Sequence, residues 1–172
     1  MEKEIQKFEY RKGIYEGETV DNIPNGKGKL VSGKDCFYEG EFLNGSFHGN
    51  GKFFCDGFGC FEGKWDNHSF LEGKASYLFV YRGYEMNTIY EGKFEDFFLV
   101  GNGKITSANG EIYEGNTLNG KPHGKGKLTC CDGTVTVGTW TNGEKDYEYT
   151  DEDYENAGGD KRFARCNFIE HI

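Results

Sequence analysis

A triplet of aromatic, Glu and Gly recurs along this chain at fixed spacing. Tyr15-Glu16-Gly17, Tyr38-Glu39-Gly40 and Phe61-Glu62-Gly63 are each 23 residues apart. Tyr90-Glu91-Gly92 follows at 29, Tyr113-Glu114-Gly115 at 23, and a degenerate copy, Thr136-Val137-Gly138, at 23 again. A period of this length means stacked copies of one small supersecondary unit, each contacting its neighbours.

Later positions keep the phase. Eleven and thirteen residues after the triplet begins stand Gly26 and Gly28, Gly49 and Gly51, Gly101 and Gly103, Gly124 and Gly126. Two further on come Leu30, Phe53, Ile105 and Leu128. Repeat three slips by one, to Gly73 and Ala75, and repeat six has Tyr147 and Tyr149 in place of its glycines. Each repeat thus holds two segments of period two, Tyr-x-Gly-x-aromatic and Gly-x-Gly-x-apolar. Period two puts these side chains on one strand face and the interleaved Glu and Lys on the other. Asn-Gly at 44–45, 119–120 and 142–143, and Asp-Gly at 56–57 and 132–133, are tight-turn signals, because Asn, Asp and Gly tolerate positive φ. Each repeat is therefore expected to be a β-hairpin, and the glycines to leave room for rings lying on the backbone.

The fold class expected is all-β: one elongated, single-layer antiparallel sheet. Six hairpins supply about twelve strands and, at about 4.8 Å each, a ribbon on the order of 50 Å long. Such a sheet twists, so a trough-like ribbon is expected. Composition agrees: 27 glycines, 2 prolines and 16% aromatics among 172 residues exclude both collagen and a disordered polar chain.

The net charge of -9 argues against nucleic acid and anionic membrane as partners, since both select basic surfaces. No apolar run is long enough to span a bilayer as a helix, and the charged start Met1–Lys7 is unlike a secretory leader. The six cysteines, without a C-x-x-C, are therefore expected to be reduced thiols in a cytoplasmic protein.

The pattern of Tyr-Glu-Gly-x-[Phe/Trp], then Asn-Gly, then His-Gly-x-Gly-x-apolar resembles the MORN-repeat family (membrane occupation and recognition nexus). Tyr38 to Phe53 and Tyr113 to Leu128 carry the resemblance most fully, and it extends over about residues 15–143. Repeats one, three and six depart from it at Asp21-Asn22, at Phe61 and at Thr136-Val137. The resemblance implies a solenoid of hairpins and a cytoskeletal or ciliary (axonemal) setting. It also raises membrane tethering, as the family name suggests. Members that are enzymes carry a separate catalytic domain of a hundred residues or more; about thirty residues follow repeat six here, too few for one.

Three segments lie outside the repeat. Residues 1–14 end in Phe8-Glu9-Tyr10-Arg11-Lys12-Gly13, a degenerate half repeat expected to pair with repeat one and cover its edge. The excess of six residues in repeat three falls at 78–87, either a longer hairpin turning at Arg82-Gly83 or an aromatic protrusion that meets a partner. Residues 144–172 form a tail. Its stretch from Asp146 to Asp160 holds seven acids and no base, and is either a solvated linker or a docking arm; the segment 161–172 is a short anchor.

No residue set carries catalysis. His48 and His123 occupy the same repeat position, which marks a structural role, and Cys130-Cys131 with His123 lack zinc-ligand spacing. Gly124-Lys125-Gly126-Lys127 recurs in phase within a strand, unlike a phosphate-binding loop that leads into a helix. No cofactor, metal or catalytic residue is expected. The chain reads as a non-enzymatic scaffold. Its expected protein-binding surface is the aromatic column of Tyr15, Tyr38, Phe42, Phe61, Trp65, Tyr90, Phe94, Tyr113 and Trp140, part of which a one-layer sheet should leave open. A helical or extended protein segment would lie along it. The competing expectations are a lipid-binding ridge formed by Lys27, Lys29, Lys52, Lys104, Lys125 and Lys127, or a purely architectural subunit of a large complex.

Overall fold

The computed structural model describes residues 4–33, 35–81 and 84–146, with the backbone course alone described for 78–81 and 84–87. The acidic tail beyond Asp146 and the anchor segment lie outside the described residues. The strands are β1 (Glu4–Tyr10), β2 (Gly13–Val20), β3 (Ile23–Ser32), β4 (Cys36–Leu43), β5 (Ser46–Cys55), β6 (Gly59–Asp66), β7 (Ser69–Tyr81), β8 (Tyr84–Glu95), β9 (Phe98–Thr106), β10 (Ile112–Leu118), β11 (Lys121–Thr129), β12 (Val135–Thr141) and β13 (Glu144–Lys145). They form one antiparallel sheet in sequence order, so every neighbour in space is a neighbour in the chain. The 23-residue unit is a hairpin, from β2–β3 through β12–β13, and β1 pairs with β2 at the N-terminal edge. The insertion leaves the β6–β7 hairpin of repeat three unchanged and lengthens the β7–β8 pair that joins it to repeat four, out to Tyr81 and Tyr84; the expected turn between them lies outside the described residues.

Hairpin tips use left-handed backbone at two successive residues. Asn44-Gly45, Asn119-Gly120 and Asn142-Gly143 do so, and so do Asp21-Asn22, Asn67-His68 and Asp96-Phe97. This mirror-image turn matches the right-handed twist of the flanking strands. The departure of repeat one from Asn-Gly therefore leaves the turn type unchanged.

The two glycines of Gly-x-Gly have different jobs. In four hairpins the ladder skips two residues after the triplet glycine, a bulge that places the first glycine in the left-handed region, as at Gly49 with φ of 58°. The second glycine lies under a tyrosine: a Cβ at Gly51 would overlap the Tyr38 ring, and the same holds for Gly28 under Tyr15 and Gly126 under Tyr113. Repeat three skips only Leu71, which accounts for its one-residue slip, and Glu72 rather than glycine stands at the bulge. From β2 to β12 each strand adds one glycine to a row crossing the sheet, through Gly17, Gly28, Gly40, Gly51, Gly63 and on to Gly138.

The sheet also coils on its aromatic face. The Tyr10 hydroxyl donates to the Gly45 carbonyl at 3.3 Å, and Arg11 Nη1 lies 2.6 Å from His68 Nε2. In a flat sheet these pairs sit at opposite edges, about 30 Å or more apart. Phe58 meets Phe97 in the same diagonal relation, with centroids 5.8 Å apart. The corner between two hairpins thus folds over the tip of a later one, and the ribbon supplies its own second layer.

Cys36 and Cys55 stand directly opposite on β4 and β5 and are joined as a disulfide. This corrects the expectation of reduced thiols for that pair. The two face each other because both lie on the inner face at register-matched positions.

The ring-over-glycine packing predicts that Gly51→Ala lowers unfolding free energy by about 2–3 kcal/mol, since a methyl there must displace a packed ring. Lys52→Ala, one residue on and facing solvent, should change it by about 0.5 kcal/mol or less. Denaturant melts of both variants check this; equal costs would refute the packing account.

Candidate binding surface

All nine residues of the expected binding column are brought together on the inner face, and all nine are buried. Tyr15, Phe61 and Tyr113 are 0% exposed, and even the most accessible, Tyr90, is 5% exposed. The expectation that part of this stripe stays open is corrected. Coiling closes the face, and a further column lies over it. Pro24, Phe47, Phe70, Leu99 and Pro122 each fall nine residues after a triplet begins, in phase with the repeat. Phe47 stacks on Tyr38 with centroids 3.8 Å apart and planes at 7°. Across each hairpin neck this residue faces the fifth residue of its repeat: Phe42 with Phe47, Trp65 with Phe70, and Thr19 with Pro24. The ninth-residue column escapes a reading based on period two because the bulge interrupts the alternation. Its signal is the fixed offset.

The tyrosine hydroxyls are spent on backbone. Tyr15 donates to Glu18 O at 2.6 Å, Tyr113 to Asn116 O at 2.7 Å, and Tyr38 to the carbonyls of Glu41 and His48. Those carbonyls sit at or beside the bulge, and the hydroxyl fills a ladder vacancy. Burial pushes the Tyr15 and Tyr113 hydroxyls up to about 12, with the Glu18 carboxylate adding to the rise at Tyr15. Burial also raises Tyr38, Tyr77 and Tyr90.

The outer face carries the open surface. Cross-strand pairing aligns Lys and Glu in strict alternation from β1 to β11: Lys7, Glu16, Lys29, Glu39, Lys52 and Glu62, then Lys74, Glu91, Lys104, Glu114 and Lys127. Lys7–Glu16 closes at 2.8 Å, Lys29–Glu39 at 2.9 Å and Lys127–Glu114 at 2.6 Å. These pairs are solvent-exposed, so each adds at most about 1 kcal/mol. The row's main effect is that none of its lysines stands without an adjacent carboxylate; Lys125, outside the row, pairs in register with Thr139. Among the lysines of the expected lipid ridge, Lys29, Lys52, Lys104 and Lys127 are in this row, and Lys27 pairs in register with Glu41.

Two grooves open on this face along the glycine row. One, of about 780 Å³, is walled by Ile14 and Val31 on one side of the charge row and by Ile5, Lys27, Glu41 and Asn50 on the other. A second of the same volume lies at the far end, between Glu114, Lys125, Lys127, Val137 and Lys145. Beside the first, Ile14, Val31, Phe37 and Phe54 align across β2–β5 as an apolar row, and Lys29 Nζ sits 4.7 Å from the Phe37 ring centre.

The histidines hold hairpin tips. His48 Nδ1 lies 3.1 Å from Asp66 Oδ1, and the Asn142 amide donates to His123 Nδ1 at 3.5 Å, each linking one tip to the next. Among the described residues no group of three or more His, Cys, Asp or Glu is placed to hold a metal ion. No helix among them is long and apolar enough to cross a membrane.

The MORN-repeat family model matches residues 15–36, 38–58, 90–112 and 113–135, just over half of the chain. Together with the hairpin sheet this establishes the class: the chain is a repeat protein and belongs to the MORN-repeat family. Repeats three and six go unmatched; repeat three has the shortened bulge, and repeat six has Thr136-Val137 in place of the aromatic and Glu. No curated protein matches the chain.

Because Tyr15 and Tyr113 titrate higher folded than the ordinary value of 10.0, they contribute stability that is fully present below about pH 10 and lost as pH rises toward 12. Tyr113→Phe should start about 1 kcal/mol less stable, through its lost hydrogen bond, yet lose stability less steeply over that interval. Thermal melts from pH 9 to 12 check the slope.

Proposed function

We propose that this chain is a non-enzymatic adaptor that binds a protein segment on its outer, Lys/Glu-patterned face. The observation that carries the reading is the first groove, where apolar Ile5, Ile14 and Val31 lie open beside the charge row. An extended or helical segment with a few apolar anchors, flanked by charges of both signs, matches that chemistry. The nine aromatic residues support binding indirectly, by holding the sheet in its coiled shape. The family suggests a cytoskeletal or ciliary assembly as the setting. A purely architectural subunit has the same surface requirement and differs in needing its neighbours for solubility.

Lipid tethering is the weaker reading, because the lysines alternate with glutamates and the chain carries a net charge of -9.

An affinity capture from the native source compares the wild type with an Ile14→Ser/Val31→Ser variant. Both residues are exposed, so melting should barely move while specific capture drops about tenfold or more, the equivalent of about 1.4 kcal/mol. Undiminished capture would sink the outer-face reading. Flotation with acidic vesicles runs in parallel, and salt-sensitive binding lost on Lys125→Glu/Lys127→Glu would replace the adaptor reading with the lipid one.

A further inference from the structure

The two edges of the described sheet are complementary halves of one repeat. β12 is a first strand, and among the described residues its second strand comprises Glu144 and Lys145. The Asp146 amide still donates to the Thr139 carbonyl at 2.8 Å. That bond shows which side of β12 is open. Alternate residues turn their N–H and C=O the same way, so Val135 and Val137 present theirs on that open side.

β1 is the opposite case, a second strand whose other edge meets no strand among the described residues. Gln6, Lys7 and Phe8 pair with Gly17, Glu16 and Tyr15, in the way that Gly28, Lys29 and Leu30 pair with Gly40, Glu39 and Tyr38. Counted from the start of a triplet, β1 therefore begins at position 11 with Glu4. The chain's own last hairpin ends at position 10 with Asp146. The Glu4 carbonyl accepts from the Thr19 hydroxyl on the β2 side, so Ile5, Lys7 and Glu9 turn their polar backbone groups away from β2, toward the edge that no described strand covers.

The side chains agree with the register. A first strand with Tyr needs glycine at position 13 beneath the ring. β12 has Thr136 instead, and β1 has Gln6 at that position, so the two departures from the repeat compensate. Lys7 would face Val137, and Ile5 would sit diagonal to it. Ile5 and Val137, 82% and 71% exposed, are the two most exposed large apolar side chains among the described residues. The break between two chains also falls at the bulge, where a continuous strand needs left-handed glycine. The chain's own continuation fits less well. It would put Tyr147 at the left-handed position and Asp151 in the buried apolar column of Leu30, Ile105 and Leu128.

We propose that a second copy of this chain docks head to tail, its β1 completing repeat six of the first. The contact is heterologous, so it propagates as a ring or a filament. It joins the second groove of one copy to the first groove of the next. The inference is independent of what those grooves bind.

Sedimentation velocity on the full chain tests it. The wild type should form species larger than dimers that grow with concentration. Val137→Pro removes a backbone donor from the β12 edge and Ile5→Pro removes one from the β1 edge, leaving the β11–β12 and β1–β2 ladders intact. Each variant alone should be monomeric, and an equimolar mixture should stop at a one-to-one dimer. Val137→Lys repeats the block without proline, and circular dichroism melts confirm that all variants fold. A monomeric wild type, oligomers indifferent to either edge, or a dimer sensitive to only one of them each overturns the proposal.

Discussion

The structure depends on a tyrosine ring lying flat on glycine. A single antiparallel sheet has no facing layer, and its apolar side would normally stay wet. Here the Tyr15, Tyr38 and Tyr113 rings press onto the Gly28, Gly51 and Gly126 backbone, with no Cβ between. Each ring lies over the glycine of the partner strand, while its hydroxyl caps a carbonyl three residues on in its own strand, beside the bulge. The bulge in turn strengthens the local twist, and repetition converts twist into a coil. Coiling brings Tyr10 to Gly45 and Phe58 to Phe97, which closes the aromatic face. Glycine, ring, bulge and coil are one device repeated, and loss of any part leaves the others without a reason.

This device separates the two faces of the sheet. The inner face is dry, uniform from repeat to repeat and fully used in holding the fold. The outer face is free of that duty. Its alternation of Lys and Glu presents both signs of charge to solvent in close succession, so the row itself builds no field of either sign. Exposed apolar residues stand among the charges around Ile14 and Val31, near hairpin tips such as Leu43, Leu71 and Leu118, and toward the two ends at Ile5 and Val137. Differences between repeats therefore matter more on the outside, where they shape grooves and edges, than inside, where they are absorbed by paired changes such as Thr19 with Pro24.

Much of this was legible in the residues. The triplet period, the Asn-Gly turns and the alternation gave hairpins, their order and the membership of both faces, down to Trp65 inward and Lys52 outward. The degenerate strand before Gly13 was legible too, because Phe8 and Tyr10 alternate with charges. Three things were not. The bulge shifts register without breaking the period, so Phe47, Phe70 and Leu99 went unrecognised as the cover of the rings. The Cys36–Cys55 pairing needs the register across β4 and β5. And the burial of the nine aromatic residues contradicts what a one-layer sheet suggests.

Local physics alone determined the unit, because strand faces, turn handedness and glycine clearance are short-range matters within 23 residues. The sequence therefore specified a hairpin sheet and which side of it was apolar. Only the tertiary structure decided that the apolar side is closed and the charged side open. That outcome depends on twist accumulated over several repeats, which brings residues 35 and 57 apart in sequence into contact, as at Tyr10–Gly45 and Arg11–His68. No single repeat contains that sum. For the same reason the candidate binding surface lies on the face opposite the aromatic column.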